Sequence, residues 1–182
     1  MPVAERVAGQ SIARSFLKEF DAQAPLTRRF LERLPEDKLT WKPHEKSMTA
    51  GQLAYHLAFV PSGIVQLVKN NPVTLPKSFE FIQPASRDEV LNLFDDGAAT
   101  VRRELPKFTD DVMSETWRLF TDNQEVLALP RAEFLRDAML SHWYQHRGQF
   151  GVYLRLLNVP VPASFGPSAD EPPAFAMQSR TA

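Results

Sequence analysis

The sequence contains no cysteine among its 182 residues. Disulfide bonds, thiolate metal ligands and a protein thiol nucleophile are therefore all excluded. A metal site in this chain has to use histidine, carboxylate or water as ligands. Any thiol chemistry would have to take its thiol from a small molecule.

Long apolar runs and an excess of one charge are also missing. No stretch reaches the ~18 consecutive apolar residues of a membrane-spanning helix, so we expect no membrane partner. The N-terminal residues MPVAERVAGQ lack the apolar core of a secretory signal, which favours a cytoplasmic location. The formal net charge is -1, so we also expect no nucleic-acid partner.

The composition is typical of one soluble globular domain, with 43% hydrophobic and 24% charged residues. We predict that this domain covers residues 1–165. A polar, proline-rich tail follows at residues 166–182. Its first half is expected to pack over the domain, and about the last ten residues are expected to be mobile.

Apolar residues recur with helical periodicity in four stretches, at about residues 11–34, 49–70, 86–105 and 130–157. Pro25 and Pro61 lie inside the first two: Pro25 predicts a kink or a break, and Pro61 predicts a second kink. Two residue pairs fit the capping box of a helix N-terminus, Thr49 with Gln52 and Ser86 with Glu89.

The connections complete the predicted architecture. PVTLPKSFEFIQPAS forms a long, irregular crossover, and residues 106–129 alternate weakly, which predicts either a short hairpin or an irregular excursion before the last helix. We therefore predict an all-α fold, a four-helix bundle with one long crossover.

Two of the four histidines, His142 and His146, lie four residues apart in the last predicted helix. Met139 and Phe150 flank them at helical spacing, so both imidazoles should face the bundle core. His56 occupies the same kind of position in the second helix. A lone histidine there is usually a hydrogen-bonded core residue. Three such residues favour a shared divalent metal ion, because an unpaired buried polar group costs about 1–3 kcal/mol.

Other polar residues near these histidines allow several interpretations. Gln149 follows His146 by three residues, and it either bonds a metal-bound ligand or satisfies another buried group. Arg147 lies just outside the apolar stripe and is expected to be solvated. His44 lies in a connector beside charged residues, and we expect it to be a solvated loop histidine.

At these residues the chain resembles the DinB-like (YfiT-like) metalloprotein superfamily. LPEDKLTWKPHEKSMTAGQLAYHLAF is similar to that family's first connector and second helix, with its single metal-binding histidine. LSHWYQHRGQFGVYLRLLNVPVPASFGPSADE is similar to its last helix and trailing loop, with its H-x3-H pair. The resemblance implies an up-down-down-up bundle that binds nickel, zinc or a similar ion through His56, His142 and His146, commonly as a homodimer.

Three functions remain open from the sequence. One is a transferase in which the ion activates a low-molecular-weight thiol for S-transfer to an electrophilic small-molecule substrate, as the resemblance suggests. Another is a hydrolase that uses metal-bound hydroxide, although the last helix offers no Asp or Glu beside the histidines as a general base. The third is a metal-binding, stress-related protein without catalysis.

Overall fold

The computed structural model describes residues 11–173. Residues 174–182, which include the predicted mobile end of the tail, lie outside the described part, as do residues 1–10. The helices are α1 (Ile12–Glu32), α2 (Ala50–Leu67), α3 (Arg87–Glu104), α4 (Asp110–Ser114), α5 (Arg131–Phe134) and α6 (His142–Leu156). No helix in the described range is long and apolar enough to cross a membrane.

The helix starts follow from their capping residues. Thr49 and Gln52 form the predicted capping box, since each side chain accepts a hydrogen bond of 3.0 Å from the other's backbone N–H. Ser86 caps α3 by accepting from the N–H of Glu89. The Glu89 carboxylate accepts from Ala85 and not from Ser86, so the second capping box is only half formed.

Pro25 and Pro61 lie within α1 and α2, and both helices continue through them. A break at Pro25 is therefore ruled out, and the kinks at the two prolines stay predictions. A proline has no N–H, so the carbonyl group four residues before it loses its helical partner. In α2 this is the carbonyl of Leu57, which instead accepts a hydrogen bond of 2.9 Å from the indole Nε1 of Trp143.

Trp143 is the side chain that joins the long helices at the centre of the core. It is fully buried in α6 and bonds to Leu57 of α2. Its ring stacks on Phe20 of α1 at 5.3 Å between centroids and on Phe94 of α3 at 6.4 Å. One side chain thus contacts three other helices, and aromatic stacking adds to the apolar area that it buries.

The chain also forms a small sheet of three strands in the order β1–β2–β3, with β1 at Val73–Thr74, β2 at Thr116–Thr121 and β3 at Gln124–Pro130. Strands β2 and β3 form the antiparallel hairpin, and Asp122 and Asn123 at its turn have positive φ angles of 48° and 61°. Such angles are typical of a type I′ turn. The hairpin alternative is therefore confirmed.

The all-α prediction missed strand β1, which lies in the long crossover and pairs with β2 in parallel. A two-residue strand has no periodicity that a sequence pattern can reveal. The fold is thus mostly helical with a small sheet. Trp117 of β2 attaches the sheet to the helices, because it is fully buried and stacks on Phe134 of α5 at 4.2 Å.

The last helix runs without a break over residues 131–156, but its middle, Leu135–Ser141, is π-helical. The N–H of His142 donates to the carbonyl of Asp137, five residues back. A regular α-helix was predicted here. The wider turn accommodates one extra residue and rotates the helix beyond it by about 100° relative to a regular α-helix.

The residues after α6 lie against the helices. Asp170 pairs with Arg155 of α6, and Glu171 pairs with Arg29 and Arg33, at the end of α1. Ala163 is buried. The described first half of the tail therefore contacts the domain through ion pairs to both α1 and α6.

We expect Trp143→Phe to lower the free energy of unfolding by about 1–3 kcal/mol, because it leaves the buried carbonyl of Leu57 without a donor. Pro61→Ala should reduce that cost, since the alanine supplies the missing backbone N–H. Urea denaturation of the two single variants and the double variant measures this coupling. Strictly additive effects would contradict the assigned hydrogen bond.

Candidate metal centre

Three imidazoles from two helices meet at one place in the structure. His56 comes from α2, and His142 and His146 come from α6. One nitrogen of each ring lies within 4.8 Å of the corresponding nitrogens of the other two. The ring centroids are 4.4 Å apart for the two histidines of α6, and 5.2 and 4.7 Å from His56 to His142 and His146. The structure therefore brings together all three predicted ligands.

The hydrogen bond between Trp143 and Leu57 accounts for this meeting. Trp143 directly follows His142, and Leu57 directly follows His56. Because the indole donates to that carbonyl, the hydrogen bond fixes the position of α6 along α2. The two bonded residues are the sequence neighbours of His142 and His56. The four-residue spacing on α6 then places His146 on the same side of the helix as His142.

Burial differs among the three side chains. His146 is buried, whereas His56 and His142 are half-buried. The sequence pattern predicted His142 at the centre of the apolar stripe. In the structure the fully buried residue beside it is Trp143, and His142 lies at the border of the core. The cluster is therefore enclosed on the side of His146 and more open on the side of the other two.

The environment favours uncharged imidazoles. Burial, together with the neighbouring His146 and His142, lowers the pKa of His56 to about 4. Burial is also the main cause that lowers the pKa of His146, while its hydrogen bond with Gln149 opposes that effect. His56 and His146 are therefore neutral at pH 7, the state in which a ring nitrogen can bind a metal ion.

Gln149 determines which nitrogen of His146 is free. Its Oε1 lies 2.7 Å from Nδ1 of His146, and a carbonyl oxygen can only accept, so Nδ1 carries the hydrogen. The lone pair of the neutral ring is then on Nε2. This contact agrees with one of the two roles predicted for Gln149, since it satisfies a buried group, the ring of His146. The other role, a hydrogen bond to a metal-bound ligand, stays a prediction.

The nitrogens of the two histidines of α6 lie within hydrogen-bond distance of each other. Nε2 of His146 lies 2.6 Å from Nε2 of His142. Because Nδ1 of His146 carries the hydrogen, its Nε2 accepts and Nε2–H of His142 donates, and a bound metal ion would take the place of that proton. His56 adds a third nitrogen, and three histidines that leave a further position open are a common ligand set of catalytic zinc.

No carboxylate belongs to this cluster within residues 11–173. The polar contacts recorded for the three rings in that range are to each other and to Gln149. His44, as predicted, lies apart: it is exposed in its connector, and its Nδ1 accepts a hydrogen bond from the N–H of Lys46.

Arg147, which was expected to be solvated, is buried with only 2% of its surface exposed, so that prediction is wrong. It donates to Oγ1 of Thr27 and to Oε1 of Gln23 in α1. Its guanidinium lies 4.9 Å from the ring centroid of Phe165 and 5.3 Å from that of Tyr144. Burial lowers the pKa of Arg147 to about 10, so it is still charged at neutral pH.

Sequence reasoning also missed Phe81, an aromatic residue of the crossover whose ring meets His56 edge to face at 5.8 Å. Nothing in the periodicity of the crossover indicates this contact, because it brings together residues 25 positions apart in different elements. Pro61 could have indicated the role of Trp143, since a proline in a helix leaves a carbonyl free.

The chain is similar to several known proteins. The uncharacterized protein YrdA of Bacillus subtilis (strain 168) is 24% identical over 166 residues, which cover 90% of this chain and 94% of YrdA. The crystal structure of a DinB-like protein from Bacillus cereus matches with a TM-score of 0.66 and 21% identity, over 85% of this chain and 97% of the other. The DinB-like protein YjoA of Bacillus subtilis matches with a TM-score of 0.60 and 20% identity, over 81% and 95%.

At such low identity, the two crystal structures show a likeness of fold. The family assignment rests on the match of residues 19–150 to the DinB superfamily model. That range contains all three clustered histidines and extends from α1 into α6. The chain therefore belongs to the DinB superfamily.

Proposed function

We propose that His56, His142 and His146 bind one divalent ion, nickel or zinc, and that the protein uses it to transfer a small-molecule thiol to an electrophile. The metal site is supported by three ring nitrogens within 4.8 Å of one another. It is supported also by the hydrogen bond of Gln149, which puts the hydrogen of His146 on Nδ1 and the lone pair on Nε2.

We further infer that the four long helical segments form the up-down-down-up bundle expected from the resemblance. Helix α2 packs against α3 and the last helix, and α1 packs against α3 and α6. The three histidines then lie on two neighbouring helices of the bundle. The homodimer that the resemblance implies stays a prediction.

The absence of a charged ligand is the observation that carries the thiol-transfer proposal. Imidazole ligands carry no charge, and the cluster includes no carboxylate among the described residues. When bound, the ion would keep its double positive charge and lower the pKa of a thiol that reaches it. A hydrolase would need a general base near the cluster, and no Asp or Glu of the described residues belongs to the group of ligand atoms within 4.8 Å of one another.

The residues of the chain have distinct parts in this function. The three histidines hold the ion, and Gln149 keeps the hydrogen of His146 on Nδ1. In the transfer itself, the thiol loses its proton to solvent and its sulfur forms a bond to the electrophilic carbon. The leaving group departs with the electron pair of the broken bond. The chain itself has no thiol that could compete as the nucleophile.

Replacement of any one of the three clustered histidines by Ala should release most of the bound metal, because two remaining ligands hold a divalent ion poorly. His44→Ala is the control, since His44 is exposed and outside the cluster. Metal content after gel filtration, measured by plasma mass spectrometry, tests both. Full retention of metal in His142→Ala would refute the ligand assignment.

Gln149→Leu should weaken metal binding by about 10- to 100-fold, the usual effect of losing a group that orients a metal ligand. Gln145→Leu is the matched control, because Gln145 is an exposed glutamine on the same helix. Competition with a chelating dye gives both dissociation constants. Equal affinities of the two variants would show that Gln149 does not position His146.

The zinc- or nickel-loaded protein should accelerate the reaction of 1-chloro-2,4-dinitrobenzene with at least one of L-cysteine, 2-mercaptoethanol and N-acetylcysteine. The metal-free protein and the His146→Ala variant should not. Absorbance of the thioether product measures the rate. Turnover of 4-nitrophenyl acetate without any thiol would favour the hydrolase, and no turnover of either kind would favour a non-catalytic role.

A further inference from the structure

Phe81 is an aromatic side chain that contacts the histidine cluster and remains open to solvent. It lies in the crossover between β1 and α3, and its ring meets that of His56 at 86°. It keeps 48% of its surface exposed. Phe81 thus contacts a candidate metal ligand on one side and solvent on the other. A small molecule bound at the cluster can contact the exposed side of its ring.

Hydrogen bonds from the start of α2 fix the crossover next to the cluster. The side-chain Nε2 of Gln52 donates to the backbone carbonyl of Phe81 at 3.2 Å. Two residues later, the Gln83 side chain lies 2.7 Å from Oγ1 of Thr49. Both anchors belong to the start of the helix that carries His56, so they hold the backbone at Phe81 beside that helix.

Gly51 makes this close approach of the crossover possible. A Cβ atom at Gly51 would lie 2.6 Å from Nε2 of Gln83 and 2.8 Å from the carbonyl oxygen of Leu39. Any other residue type would have to displace the Leu39 carbonyl, which lies in the connector before α2, or the end of the Gln83 side chain. The lack of a side chain at Gly51 thus leaves room for Gln83, one of the two residues that anchor the crossover.

The crossover exposes more apolar surface around Phe81. Phe79 and Ile82 are 63% and 54% exposed, so three of four consecutive residues present large apolar groups to solvent. Burying such surface is favourable by about 25 cal/mol per Å². Apolar surface of this kind, continuous with a polar metal-site candidate, is the usual composition of a small-molecule site.

We propose that Phe81 forms an apolar subsite beside the three histidines, and that it takes an aromatic or bulky aliphatic group of the electrophilic substrate. This inference rests on the proposed function, which supplies the electrophile as the second substrate. The ring of Phe81 would pack on that group while the reacting carbon lies toward the histidines. Small polar electrophiles would then be poor substrates.

The test uses two thiols as probes of the cobalt(II)-substituted protein, in which the sulfur would bind the ion and the rest of the molecule stands in for the apolar group of the electrophile. Benzyl mercaptan carries a phenyl group next to its sulfur-bearing carbon, and 2-mercaptoethanol does not. We expect the wild-type protein to bind benzyl mercaptan about tenfold more tightly, since burial of roughly 60 Å² of apolar surface corresponds to that factor. The cobalt–thiolate absorption band gives both dissociation constants.

Phe81→Ala should abolish this preference, and Phe81→Leu should retain part of it. Phe59→Ala is the matched control, because Phe59 is also 48% exposed and lies on α2. Its ring, however, packs over Gly63. A preference that survives in Phe81→Ala, or that falls equally in Phe59→Ala, would overturn the proposal.

A measurement without metal separates this inference from the proposed function. Benzyl alcohol added to the metal-free protein should shift the NMR signals of Phe81 and His56, and Phe81→Ala should remove the shift at His56. This NMR result is expected even if neither thiol binds to the cobalt protein. Failure of both thiols to bind would refute the proposed thiol activation and would leave the apolar subsite in place. The absence of any shift in the wild-type protein would refute the apolar subsite.

Discussion

The carbonyl group of Leu57 is the constraint on which the rest of the structure depends. Pro61 removes its helical donor, and the group lies in the core, where an unpaired carbonyl is costly. The indole of Trp143 satisfies it and at the same time packs on α1 and α3. A local defect of α2 thereby determines where α6 lies.

The histidine cluster follows from that contact. The two bonded residues are the sequence neighbours of His56 and His142, so the bond that joins the helices also joins two of the three imidazoles. The π-helical segment ends just before His142 and turns the remainder of the last helix relative to the part before it. Two irregularities of the helices, Pro61 of α2 and the wide turn before His142, thus lie next to the candidate metal centre. Wide π-helical turns are frequent at functional sites.

A second set of contacts holds the other side of α6. Arg147 follows His146 directly and is buried against α1, where Thr27 and Gln23 accept its hydrogen bonds. Two aromatic rings cover its guanidinium, and one of them, Phe165, comes from the segment after α6. The charge is compensated by hydrogen bonds and ring faces, because none of its recorded partners in residues 11–173 is a carboxylate. His146 therefore lies between Trp143 and Arg147, two residues that attach its helix to its neighbours.

The sequence by itself determined the four long helical segments, the N-terminal capping residues of α2 and α3, and the candidate ligands. Local patterns specify these features: helical spacing identifies the apolar stripes, and His142 and His146 are four residues apart on one helix. The hairpin was one of two predicted alternatives, since the alternation in its strands is a local pattern as well. Only the tertiary structure decided that His56 reaches the other two histidines, that Arg147 is buried and that Phe81 contacts His56. Each of these depends on contacts between residues that are distant in the sequence. Packing stabilises such contacts, and a local periodic pattern contains no information about packing.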